Sequence, residues 1–393
     1  MALTLIADDL TGACDAGALF TGRGPVGVFI DAGAAGAIRE VVAVDTETRA
    51  LAPAAARERV RAAAARLGER LASGLVFKKI DSTMRGPVGE EIEAVLQATG
   101  RSTALVCPAF PDHGRTVDGG LLRIDGALAH ESAVGRDPAY PGATSDVAQI
   151  LGRGVARPVC HVAADRVRRG PEALGAALAE AAGAIVSVDA QSDADLDVLA
   201  DAAASASDLV VAGSAGLARA VAQRLGHAGP AAPLPDGSAW LVVAGSLHPA
   251  SRRQIAALEA AGAGGVVVDV AAAPDLEGIA ARLAAGRPAF LVSADAATPG
   301  LGARRAVAAA LADAARRVLE MARPDLVLVT GGDTAYALMS ALGAECLELS
   351  GAPASGLALG ELIVDGAPRL PVLTKAGGFG AIDLFVTLLG GRV

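Results

Sequence analysis

Short apolar runs recur along the chain, and each is followed by a polar or glycine-rich turn and then by an alanine-rich stretch of helical length. This alternation is typical of strand–helix–strand units, in which buried parallel strands are covered by helices. We therefore predict an α/β protein. The predicted strands span residues 3–7, 26–30, 41–44, 75–79, 104–107, 184–188, 209–212, 240–244, 265–270, 289–292, 326–330 and 372–374. The clearest predicted helices span residues 53–71, 87–98, 303–322 and 334–342.

One stretch of the chain interrupts this pattern. Between Gly226 and Gly237 the alternation gives way to glycine and proline, which is typical of a linker. We predict a first domain over residues 1–226, a linker over 227–238 and a second domain over 239–393. Each domain is expected to hold a largely parallel sheet flanked by helices, with the active site in the cleft between the two domains.

The composition excludes several classes of function. The chain has 393 residues, of which 52% are hydrophobic and only 3% aromatic, and its net charge is −9. Nucleic-acid binding needs clustered Lys and Arg or stacking aromatic side chains, so no nucleic-acid partner is expected. No uninterrupted run of about 18 apolar residues occurs, and Asp8 and Asp9 interrupt the N-terminal apolar run before a signal sequence could form. We predict a cytoplasmic protein without a membrane partner.

The cysteines and histidines carry no metal-binding pattern. Cys14, Cys107, Cys160 and Cys346 form no C-x-x-C pair, and the five histidines show no H-x-x-x-H spacing. We therefore predict no metal site built by these residues and expect the thiols to be reduced and mostly buried.

The loop after the first predicted strand is rich in polar side chains. In open parallel sheets, ligands bind beyond the carboxyl ends of the strands. Asp8, Asp9, Thr11 and Asp15 lie there, where a helix begins. A carboxylate at this position can accept a proton from a substrate hydroxyl or bind a sugar hydroxyl. The alternative is an aspartate that only caps the helix.

The loop after residues 75–79 combines basic and hydroxyl side chains. Lys79, Asp81, Ser82 and Arg85 precede a helix that opens with proline. A ligand carboxylate bound by Arg85 would gain charge-assisted hydrogen bonds of about 1.5–3 kcal/mol each. We interpret this loop as an anion site, and the alternative is a basic surface turn.

A third polar loop, at residues 108–116, is stiffened by two prolines. It presents His113 and Arg115 with little conformational entropy to lose. The histidine alone is equally compatible with capping, packing or catalysis.

Three turns of the second predicted domain are typical of phosphate binding. They are Gly245-Ser246, Gly331-Gly332-Asp333-Thr334 and Gly377-Gly378, and each follows a predicted strand. Glycines let backbone amides approach phosphate oxygens, and helix N-termini stabilise the charge. Neither the P-loop nor the Rossmann glycine pattern occurs at these turns. One domain with carboxylates and hydroxyls and another with phosphate-binding turns together favour phosphoryl transfer.

Taken in order, these motifs resemble those of the four-carbon acid sugar kinases. They are ADDLTGACD at 7–15, KIDSTMRG at 79–86, PAFPDHGRT at 108–116, GS at 245–246, GGDT at 331–334 and KAGGFG at 375–380. The resemblance spans nearly the whole chain and extends to Arg136-Asp137-Pro138, which is similar to the family's Asp-Pro segment. Two positions depart from the pattern, because His248 replaces a small hydroxyl or thiol residue and Ala376 replaces a serine.

The resemblance implies ATP-dependent phosphorylation of the terminal hydroxyl of a tetronic acid, such as threonate, erythronate or 3-oxo-tetronate, with Mg²⁺ bridging the ATP phosphates. The implied acid-sugar site, in the first domain, consists of Asp8, Asp9, Thr11, Asp15, Lys79, Asp81, Ser82, Arg85 and Arg115. The implied nucleotide site, in the second domain, consists of Ser246, Gly331, Gly332, Asp333, Thr334, Gly377 and Gly378. We hypothesise that Arg85 binds the substrate carboxylate and that Asp8, ahead of Asp81, orients or deprotonates the hydroxyl.

Two other functions stay open at this point. A phosphohydrolase could use Asp8 as a nucleophile, although the acid expected two residues later is Leu10. A non-catalytic sugar-acid sensor could use the same two domains for binding alone, but it has no need of phosphate-binding turns. The expected partner is a small acid sugar, and the chain is compatible with a homo-oligomer.

Overall fold

The computed structural model describes residues 2–36, 39–72, 74–137, 139–206, 208–270, 274–294 and 301–390. The chain divides into two compact units, Met1–Gly229 and Pro230–Val393. The division falls inside the linker predicted over residues 227–238.

The first unit alternates strands and helices along most of its length. Its strands are β1 Leu3–Ala7, β2 Val26–Phe29, β3 Val41–Asp45, β4 Leu75–Lys79, β5 Thr103–Cys107, β6 Arg115–Asp118, β7 Leu121–Ile124, β8 Ala127–Leu128, β9 Val159–Val162, β10 Ile185–Val188 and β11 Leu209–Gly213. Its helices are α1 Leu10–Ala18, α2 Pro53–Leu67, α3 Glu69–Ala72, α4 Val88–Thr99, α5 Val147–Leu151, α6 Ala164–Val167, α7 Pro171–Glu180, α8 Asp193–Ser205 and α9 Ala215–Arg224.

A parallel sheet forms the centre of this unit. Its strand order is β2-β3-β1-β4-β11-β5-β10-β9, and every neighbouring pair is parallel. Strands such as β1, β3 and β4 are buried at every residue, which explains their nearly continuous apolar sequences. A small antiparallel sheet, β6-β7-β8, accompanies the large one.

The second unit is built in the same way. Its strands are β12 Trp240–Ala244, β13 Gly264–Val268, β14 Ala289–Ser293, β15 Leu326–Thr330, β16 Ala344–Gly351, β17 Leu357–Val364 and β18 Leu370–Lys375. Its helices are α10 Pro249–Ala260, α11 Glu277–Ala284, α12 Leu301–Met321, α13 Gly332–Ala341 and α14 Leu384–Leu388. The strands follow the order β13-β14-β12-β15-β18-β17-β16, parallel from β13 to β18 and antiparallel at β17. Trp240, Phe290 and Phe385 lie in its apolar core.

The predicted α/β class and all the predicted strands are confirmed, with ends that differ by at most two residues. The single helix predicted over residues 53–71 is wrong, because the chain breaks at Gly68 into α2 and α3. The sequence analysis missed β6 to β9 and the β16–β17 hairpin. Within the described ranges, no helix is both long and apolar enough to cross a membrane.

Candidate active site

Adjacent strands β3, β1 and β4 bring three polar loops of the first unit to one edge of its sheet. Ala7, the last residue of β1, is paired in register with Asp45 of β3 and with Lys79 of β4. The residues that follow these strands therefore start at the same level. This is the edge at which open parallel sheets bind their ligands.

Arg49, in the loop after β3, holds both aspartates that follow β1. Its Nε donates to Asp8 Oδ2 at 2.8 Å, and its Nη2 donates to Asp8 Oδ1 at 2.8 Å and to Asp9 Oδ1 at 2.7 Å. Asp8 is only 2% exposed, so this bidentate pair neutralises a carboxylate that burial alone would destabilise. The sequence analysis missed Arg49. The available signal was the polar composition of residues 46–49 directly after a predicted strand.

Asp9 has two structural roles. Its Oδ1 accepts the Gly12 amide at 2.9 Å, which caps α1, and its Oδ2 accepts the Thr11 hydroxyl at 2.7 Å. Burial acts to raise the pKa of Asp9, but the charges of Arg49 and Lys79 overcome it and the pKa is lowered. Asp9 therefore caps the helix, which is the alternative that the sequence left open, and the same carboxylate also belongs to the ion-pair cluster.

Asp81 and Arg85 form a second ion pair in the loop after β4. Arg85 donates from Nε to Asp81 Oδ2 at 2.6 Å and from Nη2 to Oδ1 at 3.1 Å, while its Nη1 donates to Asp137 at 3.2 Å. Thr83 also donates to Asp81. Against the effect of burial, the charges of Arg85 and Arg49 hold the pKa of Asp81 well below its usual value. Arg136 and Asp137 of the predicted Asp-Pro segment are described, but Pro138 lies outside the described residues.

Arg115 and Lys79 add positive charge beside these pairs. Arg115 interacts electrostatically with Asp81 and Arg85, and it donates to the carbonyl oxygen of His113. Its Nε is buried without a hydrogen-bond partner among the described residues. Lys79 is 5% exposed, and its Nζ donates to the carbonyl of Ile80 at 3.0 Å. A partly buried guanidinium with a buried and unused Nε donor is suited to an anionic ligand.

Other predicted residues of the first unit lie at the margin of this cluster. Thr11 is buried and bound to Asp9. Asp15 follows four residues later on α1, on the same helix face, and is partly exposed. Ser82 is partly exposed in the turn between Asp81 and Thr83.

Asp45, at the end of β3, is a further buried carboxyl that the sequence analysis missed. Its Oδ1 accepts the amide of Glu47 at 2.8 Å, and its Oδ2 has no hydrogen-bond partner among the described residues. Burial, followed by the neighbouring Glu47 carboxylate, raises the pKa of Asp45 well above its usual value. Burial thus favours the neutral form of this carboxyl, which lies next to the ionised cluster.

In the second unit, adjacent strands β12, β15 and β18 bring the three predicted turns together. The amides of Gly245 and Ser246 both donate to the carbonyl of Thr330 at 3.2 Å. A Cβ on Gly245 would lie 1.8 Å from Thr334 Oγ1, and a Cβ on Gly377 would lie 2.5 Å from Ser246 Oγ. The turns are therefore packed so closely that these two positions have no room for a side chain.

Helix α13 begins at the centre of this group of turns. Gly331 precedes it with φ of 107°, a conformation that side chains other than glycine rarely adopt. Gly332, Asp333 and Thr334 form the first helical turn, where unpaired amides and the helix dipole favour an anion. Gly332 and Asp333 are partly exposed, whereas Thr334 is buried.

The third turn, Gly377-Gly378, also presents backbone amides. The amides of Gly377 and Gly378 donate no hydrogen bond to any described residue. His248 lies beside Gly378 and caps α10, because its Nδ1 accepts the amide of Ala250 at 3.2 Å. The imidazole thus performs the capping that a small hydroxyl side chain would perform at this position.

A protein-only metal centre does not form in the described part of the chain. No group of three or more His, Cys, Asp or Glu side chains there could hold an ion. The second unit instead combines amide-rich turns with the single carboxylate of Asp333 in the first turn of α13, which fits a magnesium ion held mainly by phosphate and water.

Comparison with known proteins gives matches over nearly the whole chain. The profile of a family described as a sugar-binding N-terminal domain matches residues 3–221, and that of a nucleotide-binding C-terminal domain matches residues 241–385. The chain is 36% identical to a D-threonate kinase of Bordetella bronchiseptica, over 97% of this chain and 95% of that protein. It is 32% identical to a D-erythronate kinase of Heliobacterium modesticaldum, over 98% of this chain and 95% of that protein. Other relatives, at 30–33% identity, are named 3-oxo-tetronate kinases.

A solved structure shows the same architecture. A Bordetella bronchiseptica protein, crystallised with citrate as a domain-swapped dimer, is 33% identical and superposes with a TM-score of 0.51 over 100% of this chain and 99% of that one.

Proposed function

The chain belongs to the family of four-carbon acid sugar kinases, and on this premise we propose that it transfers the γ-phosphoryl group of ATP to the terminal hydroxyl of threonate, erythronate or 3-oxo-tetronate. One observation carries this proposal. In each unit three neighbouring parallel strands end in polar turns, charged in the first unit and rich in backbone amides in the second. Those two chemistries suit a hydroxy acid and a polyphosphate.

Arg115 and Lys79 are the residues best suited to bind the substrate carboxylate. Arg85, to which the sequence analysis assigned this role, already donates to Asp81 and Asp137. Arg115 keeps a buried Nε donor unused. We therefore assign the principal carboxylate contact to Arg115, while Arg85 fixes the orientation of Asp81.

Asp8 and Asp81 accept hydrogen bonds from the substrate hydroxyls. Both are held in bidentate pairs by arginines, so they are oriented acceptors rather than strong bases. Phosphoryl transfer depends mainly on in-line positioning and charge stabilisation, and a weak base is sufficient to receive the hydroxyl proton late in the reaction. We place Asp8 ahead of Asp81 in this role, because the charges of Arg85 and Arg49 depress the pKa of Asp81 strongly.

The amide-rich turns of the second unit are suited to bind the ATP phosphates. Ser246, the first turn of α13 and the Gly377-Gly378 turn would donate to phosphate oxygens, with Asp333 as the carboxylate nearest in sequence to these donors. When bound, Mg²⁺ would neutralise the charge that develops on the transferred phosphoryl group.

The aspartyl-phosphate alternative is disfavoured by the surroundings of Asp8. Both of its oxygens accept hydrogen bonds from Arg49, which opposes nucleophilic attack. Leu10, where a second acid would be needed, is fully buried. The sensor alternative leaves the amide-rich turns of the second unit without a ligand.

We place the reaction in the cytoplasm, where ATP is supplied, and we expect the chain to be able to form homo-oligomers. The domain-swapped dimer of the Bordetella bronchiseptica structure supports the second expectation.

The proposed function is tested by measuring ADP release from purified protein with ATP and magnesium. D- and L-threonate, D- and L-erythronate and their 3-oxo forms are offered separately. We expect one or a few of these acids to stimulate ADP release far above the rate without acid. Folded protein that releases no ADP with any of them, yet binds ADP in calorimetry, would contradict the substrate class.

A further inference from the structure

Lysine is rare in this chain, and every lysine is buried. The chain has only Lys78, Lys79 and Lys375, whereas the other 31 permanently cationic side chains are arginines. The three lysines are 0%, 5% and 0% exposed, and each lies at or next to the carboxyl end of a strand. A lysine ammonium is compact, and burial shifts its pKa readily.

Lys375 differs from the other two in its electrostatic surroundings. Lys78 pairs with Glu91 at 2.6 Å, and Lys79 interacts with the ionised Asp9. Within the described part of the chain, Lys375 donates only to neutral oxygens: the carbonyls of Ala376 and Gly377, both at 3.0 Å, and Ser251 Oγ at 3.3 Å. A buried ammonium normally has a counter-charge.

The elements around Lys375 present uncharged groups to it. They are Ser251 of α10, Thr330 of β15, which is paired with Lys375 in register, and Phe385 of α14, 6.0 Å from the ammonium. The titratable groups that precede the two helices, His248 and Asp383, do not contribute to its titration. Burial alone lowers the pKa of Lys375 to about 8.

The hydrogen bonds of Lys375 also set the direction of the neighbouring amides. In a trans peptide the carbonyl and the amide point in opposite directions, and no described peptide is cis. Because Lys375 binds the carbonyls of Ala376 and Gly377, the amides of Gly377 and Gly378 point away from it. Ser251 strengthens this arrangement by donating to the Gly377 carbonyl at 2.8 Å. As described above, the amides of Gly377 and Gly378 donate no hydrogen bond to any described residue.

We propose that Lys375, supported by Ser251, is the positioning residue of the nucleotide site: it aims the amides of Gly377 and Gly378 at a nucleotide phosphate, and that phosphate supplies its missing counter-charge. This inference rests on the proposed kinase function. The proposed role belongs to a buried side chain beneath the Gly377-Gly378 turn and not to a group at the surface of that turn.

Nucleotide binding and the charge of Lys375 are thermodynamically coupled. Lys375 is charged below about pH 8 and largely neutral above it in the free protein. A bound phosphate favours the ammonium, so nucleotide binding must raise the pKa of Lys375, and a higher pH must weaken binding. For each unit by which nucleotide binding raises the pKa of Lys375, the protein with charged Lys375 binds the nucleotide about tenfold more tightly than the protein with neutral Lys375.

Because the chain has only three lysines, the change in the pKa of Lys375 on nucleotide binding can be measured directly. Protein labelled with ¹³C and ¹⁵N in lysine alone gives signals from only three residues, and Lys375→Met identifies the signal of Lys375. We expect this signal to titrate near pH 8 without ligand and at least about one unit higher with saturating ADP. An unchanged titration of Lys375 in protein that binds ADP would overturn the inference and leave the proposed function intact. Absence of ADP binding by folded wild-type protein would overturn both.

Calorimetry with ADP supplies a second readout. Lys375→Met should weaken ADP binding about tenfold or more near pH 7. In Lys375→Arg the side chain stays charged, so the affinity for ADP should no longer fall between about pH 7 and pH 9. Wild-type affinity that is independent of pH over this range would contradict the proposal without reference to any variant.

Discussion

The candidate sites of the two units lie at corresponding edges of similar sheets but consist of different chemical groups. In the first unit the edge of the sheet is lined by charged side chains, with Arg49 and Arg85 each holding buried carboxylates. In the second unit the corresponding edge is lined by glycine turns and a helix N-terminus. A sugar acid has a particular arrangement of hydroxyls and a carboxylate to be recognised, whereas a polyphosphate needs mainly donors and positive potential.

This difference predicts which substitutions each site tolerates. A site of interlocked ion pairs should be sensitive to the loss of one side chain, because each loss leaves a buried charge without a partner. A site of backbone amides should tolerate truncation of the side chains at its surface, in contrast to Lys375 beneath the turn, but not an added Cβ.

Arg49→Met should have the largest effect. It leaves the buried Asp8 and the partly buried Asp9 without their shared cation, which should cost about 3–5 kcal/mol of stability and lower kcat by roughly 1000-fold through lost positioning. Denaturant unfolding and steady-state kinetics measure the two effects. Arg66→Met is the control, because the Arg66–Asp31 pair is exposed and should contribute less than about 1 kcal/mol. Similar losses in both variants would refute the central role of Arg49.

Gly331→Ala should be the next most damaging. An alanine at φ of 107° carries strain of about 1–3 kcal/mol, and the turn would have to move away from the phosphates. We expect kcat/KM for ATP to fall about 100-fold, with the KM for the acid sugar nearly unchanged. Gly278→Ala, in α11 with no atom near the new methyl group, should leave activity intact. A selective rise in the acid-sugar KM of Gly331→Ala would reverse the assignment of the units.

Arg115→Met should act mainly on substrate binding. Loss of charge-assisted hydrogen bonds to a carboxylate should raise the KM for the acid sugar about 10–100-fold, with little change in the KM for ATP. Arg123→Met in the same small sheet is the matched control, because Arg123 donates to the carbonyl of Gly126 instead. An effect on kcat alone would assign Arg115 to the transition state rather than to binding.

His248→Ser should have the smallest effect. Serine can accept the amide hydrogen bond with which His248 caps α10, so the KM for ATP should stay within about twofold. His248→Ala removes the cap and should destabilise the protein by about 1 kcal/mol in thermal unfolding. A large loss of ATP affinity in the serine variant alone would show that the imidazole itself contacts the nucleotide.

Local sequence was sufficient for the strand–helix alternation and for the polar loops that follow the strands, because buried parallel strands are apolar throughout and their ligand loops are polar. It was insufficient for Arg49 and Asp45, whose importance comes from β3 lying next to β1. Strand order is a property of distant pairing and leaves no local trace. The β16–β17 hairpin was missed because exposed residues interrupt β16, Gly360 and Glu361 interrupt the apolar residues of β17, and the two strands pair with register shifts.

The most direct test of the account is ³¹P NMR of the product formed from ATP and the acid that best stimulates ADP release. Transfer to the terminal hydroxyl predicts a phosphomonoester signal split by the two protons of a neighbouring CH₂ group. Inorganic phosphate as the only new signal besides those of ADP would mean that water is the acceptor, and it would contradict the assignment of the first unit as the site of a phosphorylated sugar acid.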